Sequence, residues 1–355
     1  MKNLFDGKRI LITGGTGSLG KTLTKRILSG VAGTPAKVVV FSRDEAKQHY
    51  MRMDYLQRRV ATDEIIFHNF ERTLEFVIGD VRDFNSIASV CRNADIIFNA
   101  AALKQVPSCE YFPYEAVRTN IEGPQNIVQA IRDLQLDVET VVGISTDKAC
   151  KPVNVMGMTK AIQERVFISA NLYCPRTRFI GARYGNVLAS RGSVIPLFHD
   201  QIRAGGPVTI TTTDMTRFLL SLEQAVDTIL NAIAHAKRGE IFIPRVPAAK
   251  VTDIAATLIG DRDIETIVTG IRPGEKVHES LISEEEATRT VLRGDYYAIR
   301  PMLSEIDESG GEPPALTGEF SSDRFVLNSE ETAELLRINH LLVEDAEGMS
   351  DELLR

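Results

Sequence analysis

The sequence predicts an α/β protein built on a doubly wound parallel sheet, with a smaller mixed α/β domain following it. Short Val/Ile runs alternate with segments of helical period through the first half. The runs lack the polar alternation of a sheet with one wet face, so their strands are buried on both sides and covered by helices. A glycine cluster separates the first strand from the first helix, where such folds turn. The 355 residues suffice for about two domains at ~100–200 residues each.

Arg9-Ile10-Leu11-Ile12-Thr13 is the first strand, followed by a glycine loop and a helix over about 19–28. Lys37-Val38-Val39-Val40-Phe41 is the second strand, Phe76-Val77-Ile78 the third and Asp95-Ile96-Ile97-Phe98-Asn99 the fourth. Thr140-Val141-Val142-Gly143-Ile144-Ser145 is the fifth and Phe179-Ile180-Gly181-Ala182 the sixth. Helical period fills 114–133 and 158–171. These elements make a first domain of residues 1–183, to which later segments are expected to return. After Tyr184, Gly and Pro punctuate shorter elements, at Gly192, Pro196, Gly205-Gly206-Pro207, Pro244, Pro247 and Pro273-Gly274. They predict a partly interleaved second domain, 184–302. Residues 303–355 form an acidic C-terminal extension, in which Glu308-Ser309-Gly310-Gly311-Glu312-Pro313-Pro314 reads as a mobile linker before a last helix over about 329–342.

Composition narrows the function. Apolar residues at 43% and charged residues at 25% are the globular balance, which excludes wholesale disorder. No run approaches the ~18 apolar residues of a membrane span, and the first residues lack a signal-peptide core, so a cytoplasmic protein is expected. Cys91, Cys109, Cys150 and Cys174 are scattered without a C-x-x-C pair, as suits reduced thiols, and no metal site is expected. The net charge of −7 is uneven, because residues 303–355 carry 14 acidic residues against three arginines. The remaining body is mildly basic. That suits a small anionic ligand and falls short of the clustered Lys/Arg that nucleic acid requires.

In this fold ligands sit beyond the carboxyl ends of the strands. Gly14-Gly15-Thr16-Gly17-Ser18-Leu19-Gly20 follows the first strand and opens a helix. Its glycines permit a tight turn and close approach of backbone amides to a pyrophosphate, so a Rossmann-type dinucleotide site is expected. The second strand ends in Ser42-Arg43-Asp44, with Lys47 one turn later. An acidic residue at the strand end would select NAD; a guanidinium there pairs with a 2′-phosphate and points to NADP. The competing reading has Arg43 in solvent while Asp44 reads the ribose. Asp80 and Val81 follow the third strand, where a carboxylate can accept from the adenine amino group. Ala100 and Ala101 follow the fourth, where small side chains let backbone lie along the cofactor.

The segment Ser145-Thr146-Asp147-Lys148-Ala149-Cys150 starts at the carboxyl end of the fifth strand, and Lys160 lies on the next helix. Thr146, Asp147 and Lys148 thus emerge where the nicotinamide is expected. A carboxyl group beside an amine makes an acid/base pair, provided burial and a nearby cation bring the lysine toward its neutral form. An exposed Asp-Lys pair without catalytic duty is the plain alternative.

Seven motifs occur in order: the glycine loop, Ser145-Thr146-Asp147-Lys148-Ala149, Met156-x-x-x-Lys160, Arg183-Tyr184-Gly185-Asn186-Val187, Ser190-Arg191-Gly192-Ser193-Val194-Ile195-Pro196, Met215-Thr216-Arg217-Phe218 and Arg272-Pro273-Gly274-Glu275-Lys276-Val277-His278-Glu279. Over about residues 5–302 the chain resembles the extended short-chain dehydrogenase/reductases. Within them it is similar to the soluble UDP-N-acetylglucosamine 4,6-dehydratases of surface-polysaccharide pathways. The resemblance implies hydride transfer from sugar carbon 4 to NADP+, proton removal at carbon 5, loss of the carbon 6 hydroxyl, and return of the hydride to carbon 6. It implies Lys148 as base at carbon 5, Asp147 as acid for the departing water, and Lys160 holding the nicotinamide ribose. It further implies Lys104, Met156 and Asn186 against substrate, and a homo-oligomer, dimeric or hexameric. Arg217 and Arg272 are candidates for the diphosphate, which demands forked cationic donors, with surface or interdomain salt bridging as the plain alternative.

One position departs from the superfamily pattern. Met156 stands where a Tyr usually precedes the active-site Lys by four residues. A thioether cannot accept the proton of a sugar hydroxyl, so Thr146, Asp147 or water must do so. The resemblance favours inversion at carbon 5. A nucleotide-sugar 4-epimerase and a non-catalytic NADP-binding sensor are the alternatives.

Overall fold

The computed structural model describes residues 3–57, 70, 72–188, 193–308 and 310–345. Six parallel strands run β1 (Arg9–Thr13), β2 (Lys37–Ser42), β3 (Leu74–Ile78), β4 (Ile96–Asn99), β5 (Thr140–Thr146) and β6 (Arg178–Tyr184), in the spatial order β3-β2-β1-β4-β5-β6. The order reverses between β1 and β4, which creates a crevice at their carboxyl ends. Ile241–Pro244 then adds parallel to β6, and Tyr296–Ile299 and Thr290–Arg293 continue the sheet antiparallel. The doubly wound α/β expectation therefore holds. Alternate strand residues feed opposite faces. Ile10, Ile12, Val38, Val40 and Phe98 pack with Leu23 and Ile27 on one side; Leu11, Phe41, Ile97 and Val141 pack with Ile87, Ile127 and Phe167 on the other.

The helices that position the site are α1 (Ser18–Leu28), α2 (Glu45–Gln57), α3 (Phe84–Cys91), α4 (Val106–Tyr111), α5 (Pro113–Val117), α6 (Gly123–Asp133) and α7 (Val155–Ala170). The helix expected over 114–133 is interrupted by a π-helical turn at Arg118–Glu122, just before Gly123-Pro124. Proline has no N–H to give to the preceding turn. The buried Asn120 in that turn bonds both backbone groups of Leu103 and the Thr159 hydroxyl, which ties the loop after β4 to α7.

The C-terminal extension departs from its expected form. Glu312 pairs with Lys237 at 2.9 Å and with Arg293 at 2.5 Å, so the supposed mobile linker is pinned; Ser309 lies outside the described residues. Phe320–Ser321 pairs with Ser280–Ile282, and Ser329–Ile338 is helical, burying Leu336 with Leu341 and Val343. That helix stops short of 342 because His340 takes a left-handed conformation, φ 55°. Among the described residues no helix is long and apolar enough to cross a membrane, and the four cysteines are free and buried.

Candidate active site

The glycine loop shows which of its residues the fold needs. Gly14 has φ 66°, and a Cβ there would lie 2.7 Å from the backbone of Ala101, so the loop and Ala100-Ala101 touch. A Cβ on Gly20 would sit 2.5 Å from Gly15 Cα. At Gly17 it would meet only the Gly14 carbonyl, at 3.3 Å. Gly17 caps α1 with no side-chain bond, so the first-turn amides at Ser18 and Leu19 are left for a ligand. Thr16 is buried within the turn. Next to it Asn99 accepts from Thr13 at 2.9 Å, while its amide nitrogen is buried without a partner.

At the tip of β2, Asp44 is occupied. It accepts from the Lys47 side chain at 2.7 Å and from the Lys47 amide at 2.9 Å, bonds that hold its carboxyl below the usual range. Ser42 is engaged by Gln48. Arg43 is 54% exposed, its nearest carboxylate being Asp80 at 3.7 Å. Asp80 is less open than its sequence position suggested, since both oxygens accept from Arg82 at 2.6–3.0 Å. Burial favours its neutral form, yet the bonds and charge of Arg82, with Arg43, keep it ionised to lower pH than usual. Val81 is buried against Gly123.

At the tip of β5 the chain tightens into a single turn, Asp147–Ala149, over which Gly157 of α7 packs; a Cβ there would strike the Lys148 carbonyl at 2.2 Å. Asp147 is fully buried. One oxygen accepts from Thr146 at 2.8 Å and from Lys148 Nζ at 3.1 Å, and the other has no partner. Lys148 Nζ also reaches Asn186 at 3.4 Å and Glu279 at 3.5 Å. The charge state differs from expectation. Burial pushes the Lys148 amine down and Arg217 assists, but Asp147 and Glu279 outweigh them, leaving its pKa above the ordinary value.

Lys160 behaves in the opposite way. Its ammonium lies in the core, bonded to the Ile144 carbonyl and to Gln163, and burial lowers its pKa to about 8 against the opposing pull of Glu164. Beneath β5, Arg183 is sandwiched by Glu164 at 2.7 Å and Glu286 at 2.8 Å, and Glu164 also accepts from Ser145 at 2.5 Å. Burial alone would raise the Glu286 carboxyl; Arg183 holds it down at about 2. This triad ties β5, β6 and α7 to the segment after 280.

The substrate candidates are dispersed. Asn186 is at the site. Arg217 lies within electrostatic reach of Lys148, but its guanidinium is committed to the carbonyls of Thr216, Val277 and Lys276 at 2.7–3.0 Å. Lys104 is exposed on the loop before α4. Arg272 is exposed and makes no ion pair among the described residues. Met156 is buried with Cys109 and Ala116 in a small apolar cluster. Ser190, Arg191 and Gly192 of the fifth motif lie outside the described residues. Sequence reasoning gave no role to Glu279, although it is the last residue of the seventh motif; only the fold brings it to Lys148.

The polysaccharide biosynthesis protein family model matches residues 10–301. A relative from Campylobacter jejuni, named UDP-N-acetylglucosamine 4,6-dehydratase (inverting), is 42% identical over 308 residues, 86% of each chain. One from Rickettsia conorii, named UDP-glucose 4-epimerase, is 41% identical over 345 residues, 94% of this chain and 96% of the relative. The solved structure of Pen from Bacillus thuringiensis superposes with a TM-score of 0.84 at 34% identity, covering 95% of this chain and 99% of that one. With the Rossmann sheet, the glycine loop and the strand-tip acid/base cluster in place, the chain belongs to the polysaccharide biosynthesis protein family.

Proposed function

We propose that the chain is an NADP-dependent 4,6-dehydratase that converts UDP-N-acetylglucosamine, with inversion at carbon 5, to a 4-keto-6-deoxy sugar. The observation that carries this reading is the Lys148 amine held 3.1 Å from the buried Asp147 at the tip of β5. An epimerase, which moves only a hydride at carbon 4, has no task for that amine. Inversion follows the likeness to the Campylobacter relative.

Residues for a dinucleotide are present: the uncapped start of α1 behind Gly17, the open face of the loop, and the orphaned amide of Asn99. Asp44 is spent capping α2, so Arg43 is the group available to a 2′-phosphate, which favours NADP over NAD. When bound, the dinucleotide supplies a hydride acceptor for carbon 4 and a donor for carbon 6. Lys160 keeps a third ammonium hydrogen for the ribose beyond its two bonds. Arg272, with no ion pair among the described residues, is the first candidate for the substrate diphosphate; Lys104 and Asn186 line the sugar, and Arg217 contributes charge.

Thr146 donates to Asp147, so the pair can relay the 4-hydroxyl proton to the carboxylate, a task Met156 cannot perform. Protonated Asp147 no longer stabilises the Lys148 ammonium. Lys148 is 22% exposed, can lose its proton to solvent, and then takes the proton at carbon 5. Asp147 returns its proton to the departing hydroxyl at carbon 6, and carbon 5 regains a proton from solvent on the face opposite Lys148, which is what inverts it. Exposed Tyr111, Phe112, Met158 and Ile162 offer a face through which a homo-oligomer would assemble.

The Rickettsia relative's name favours a second reading, a 4-epimerase. Mass spectrometry of the product from UDP-N-acetylglucosamine separates the two: loss of one water is expected, and an isomer of unchanged mass would replace dehydration with epimerisation.

A further inference from the structure

We propose that Glu279 is a positioning residue for Lys148: carried on the segment that closes over the strand tip, its buried carboxylate is a second anionic partner of the ammonium beside Asp147 and sets the pH at which the amine becomes a base. This rests on the reading of Lys148 as the base of the proposed reaction.

Glu279 is almost fully buried, 3.5 Å from Lys148 Nζ, and its second oxygen is buried without a hydrogen bond. Its backbone amide donates to the Ser322 hydroxyl at 3.0 Å and its carbonyl accepts from the Ser322 amide at 2.8 Å. Ser322 in turn shares a hydrogen bond with Thr216, which also bonds His278. The backbone that carries the carboxylate is therefore fixed by Ser322, while none of these bonds neutralises the carboxylate itself. A buried carboxylate needs a counter-charge. Two ammonium groups supply it, Lys148 and, at 3.8 Å, Lys276, whose Nζ is itself anchored on the Cys150 carbonyl at 2.7 Å.

The charged groups facing Lys148 are then Asp147 from its own turn, Arg217 from the strand Thr216–Leu220, and Glu279 with Lys276 from the closing segment. Asp147 changes its proton during the reaction, so it cannot hold the amine throughout. Glu279 contacts Lys148 from outside the reacting pair and can hold it in place while Asp147 is neutral. It lies 131 residues along the chain from Lys148, so the amine is correctly placed only when the closing segment is docked.

Two variants test this. Glu279→Gln keeps shape and removes the charge. In the protein without substrate, the Lys148 Nζ resonance, followed by NMR and identified by its loss in Lys148→Met, should then titrate about one pH unit lower. In turnover, the acid limb of kcat should move the same way, and Glu279→Asp should restore part of the shift. Lys276→Met leaves Glu279 more strongly committed to Lys148 and should move both readouts to higher pH. A uniform loss of kcat with unmoved midpoints would show a structural role and overturn the proposal. If Glu279→Gln fails to fold, an unmoved midpoint in Lys276→Met overturns it alone. Shifted midpoints in a protein that does not dehydrate the sugar would leave the pairing of Glu279 with Lys148 standing and refute the dehydratase reading.

Discussion

Replacing Arg43 with alanine isolates the choice between the two nicotinamide dinucleotides. The guanidinium is 54% exposed and its sole ion-pair partner among the described residues, Asp80, is 3.7 Å away and already filled by Arg82. Removing Arg43 therefore disturbs little in the folded chain, and the loss falls on the ligand. A charged hydrogen-bond pair is worth about 1.5–3 kcal/mol, which corresponds to roughly 10- to 150-fold in affinity. Calorimetric titration should show NADP+ weakened by that factor while NAD+ is unchanged, because Asp44 stays tied to Lys47 and gains no ribose to bind. Equal weakening of both dinucleotides, or none of either, would refute the reasoning: it would mean that the tip of β2 does not read the 2′-phosphate.

Three other outcomes follow from the geometry. Gly17→Ala should still fold, its Cβ asking the Gly14 carbonyl at 3.3 Å to give only slightly, yet weaken dinucleotide binding in the same titration; retained affinity would place the ligand elsewhere. Arg183→Met strands Glu164 and Glu286 facing each other in the core. At about 3–5 kcal/mol for a broken buried pair, calorimetry should show melting lowered by about 5 °C for a chain of this size, and an unchanged melting temperature would refute the triad's role. The Lys160 amine titrates near 8 in the fold, lower than in the unfolded chain because it is buried. Between that value and the ordinary lysine range the unfolded state binds more protons, so stability rises with pH across this window. Urea unfolding should show wild type gaining on Lys160→Met from pH 8 upward, and parallel curves would contradict the burial account.

Much of this was legible before any coordinates because it is local. The six parallel strands β1–β6 show as apolar runs rich in Val and Ile, and Thr146, Asp147 and Lys148 are contiguous, so their meeting at the tip of β5 needed no tertiary knowledge. The reading failed where distant charges decide. Burial alone pointed the wrong way for Lys148: the adjacent Asp147, joined by Glu279 from 131 residues further along the chain, outweighs it. Asp80 looked free because Arg82, two residues on, could equally have faced solvent. Glu312 sits in a Gly/Pro-rich stretch that reads as a linker, and only the fold sets Lys237 and Arg293 beside it. The π-helical turn before Gly123-Pro124 is a subtler case: the helical period ran visibly through the proline, but nothing local showed that the turn ahead of it would widen.

The central claim is that the amine of Lys148 removes the proton from sugar carbon 5. Turnover of UDP-N-acetylglucosamine in deuterated water, comparing wild type with Lys148→Met by NMR of the recovered sugar, tests it most directly. The account predicts deuterium at carbon 5 of a dehydrated product from wild type, and from the variant neither dehydration nor label, with the dinucleotide still bound. A variant that yields the same labelled product at an undiminished rate would contradict it.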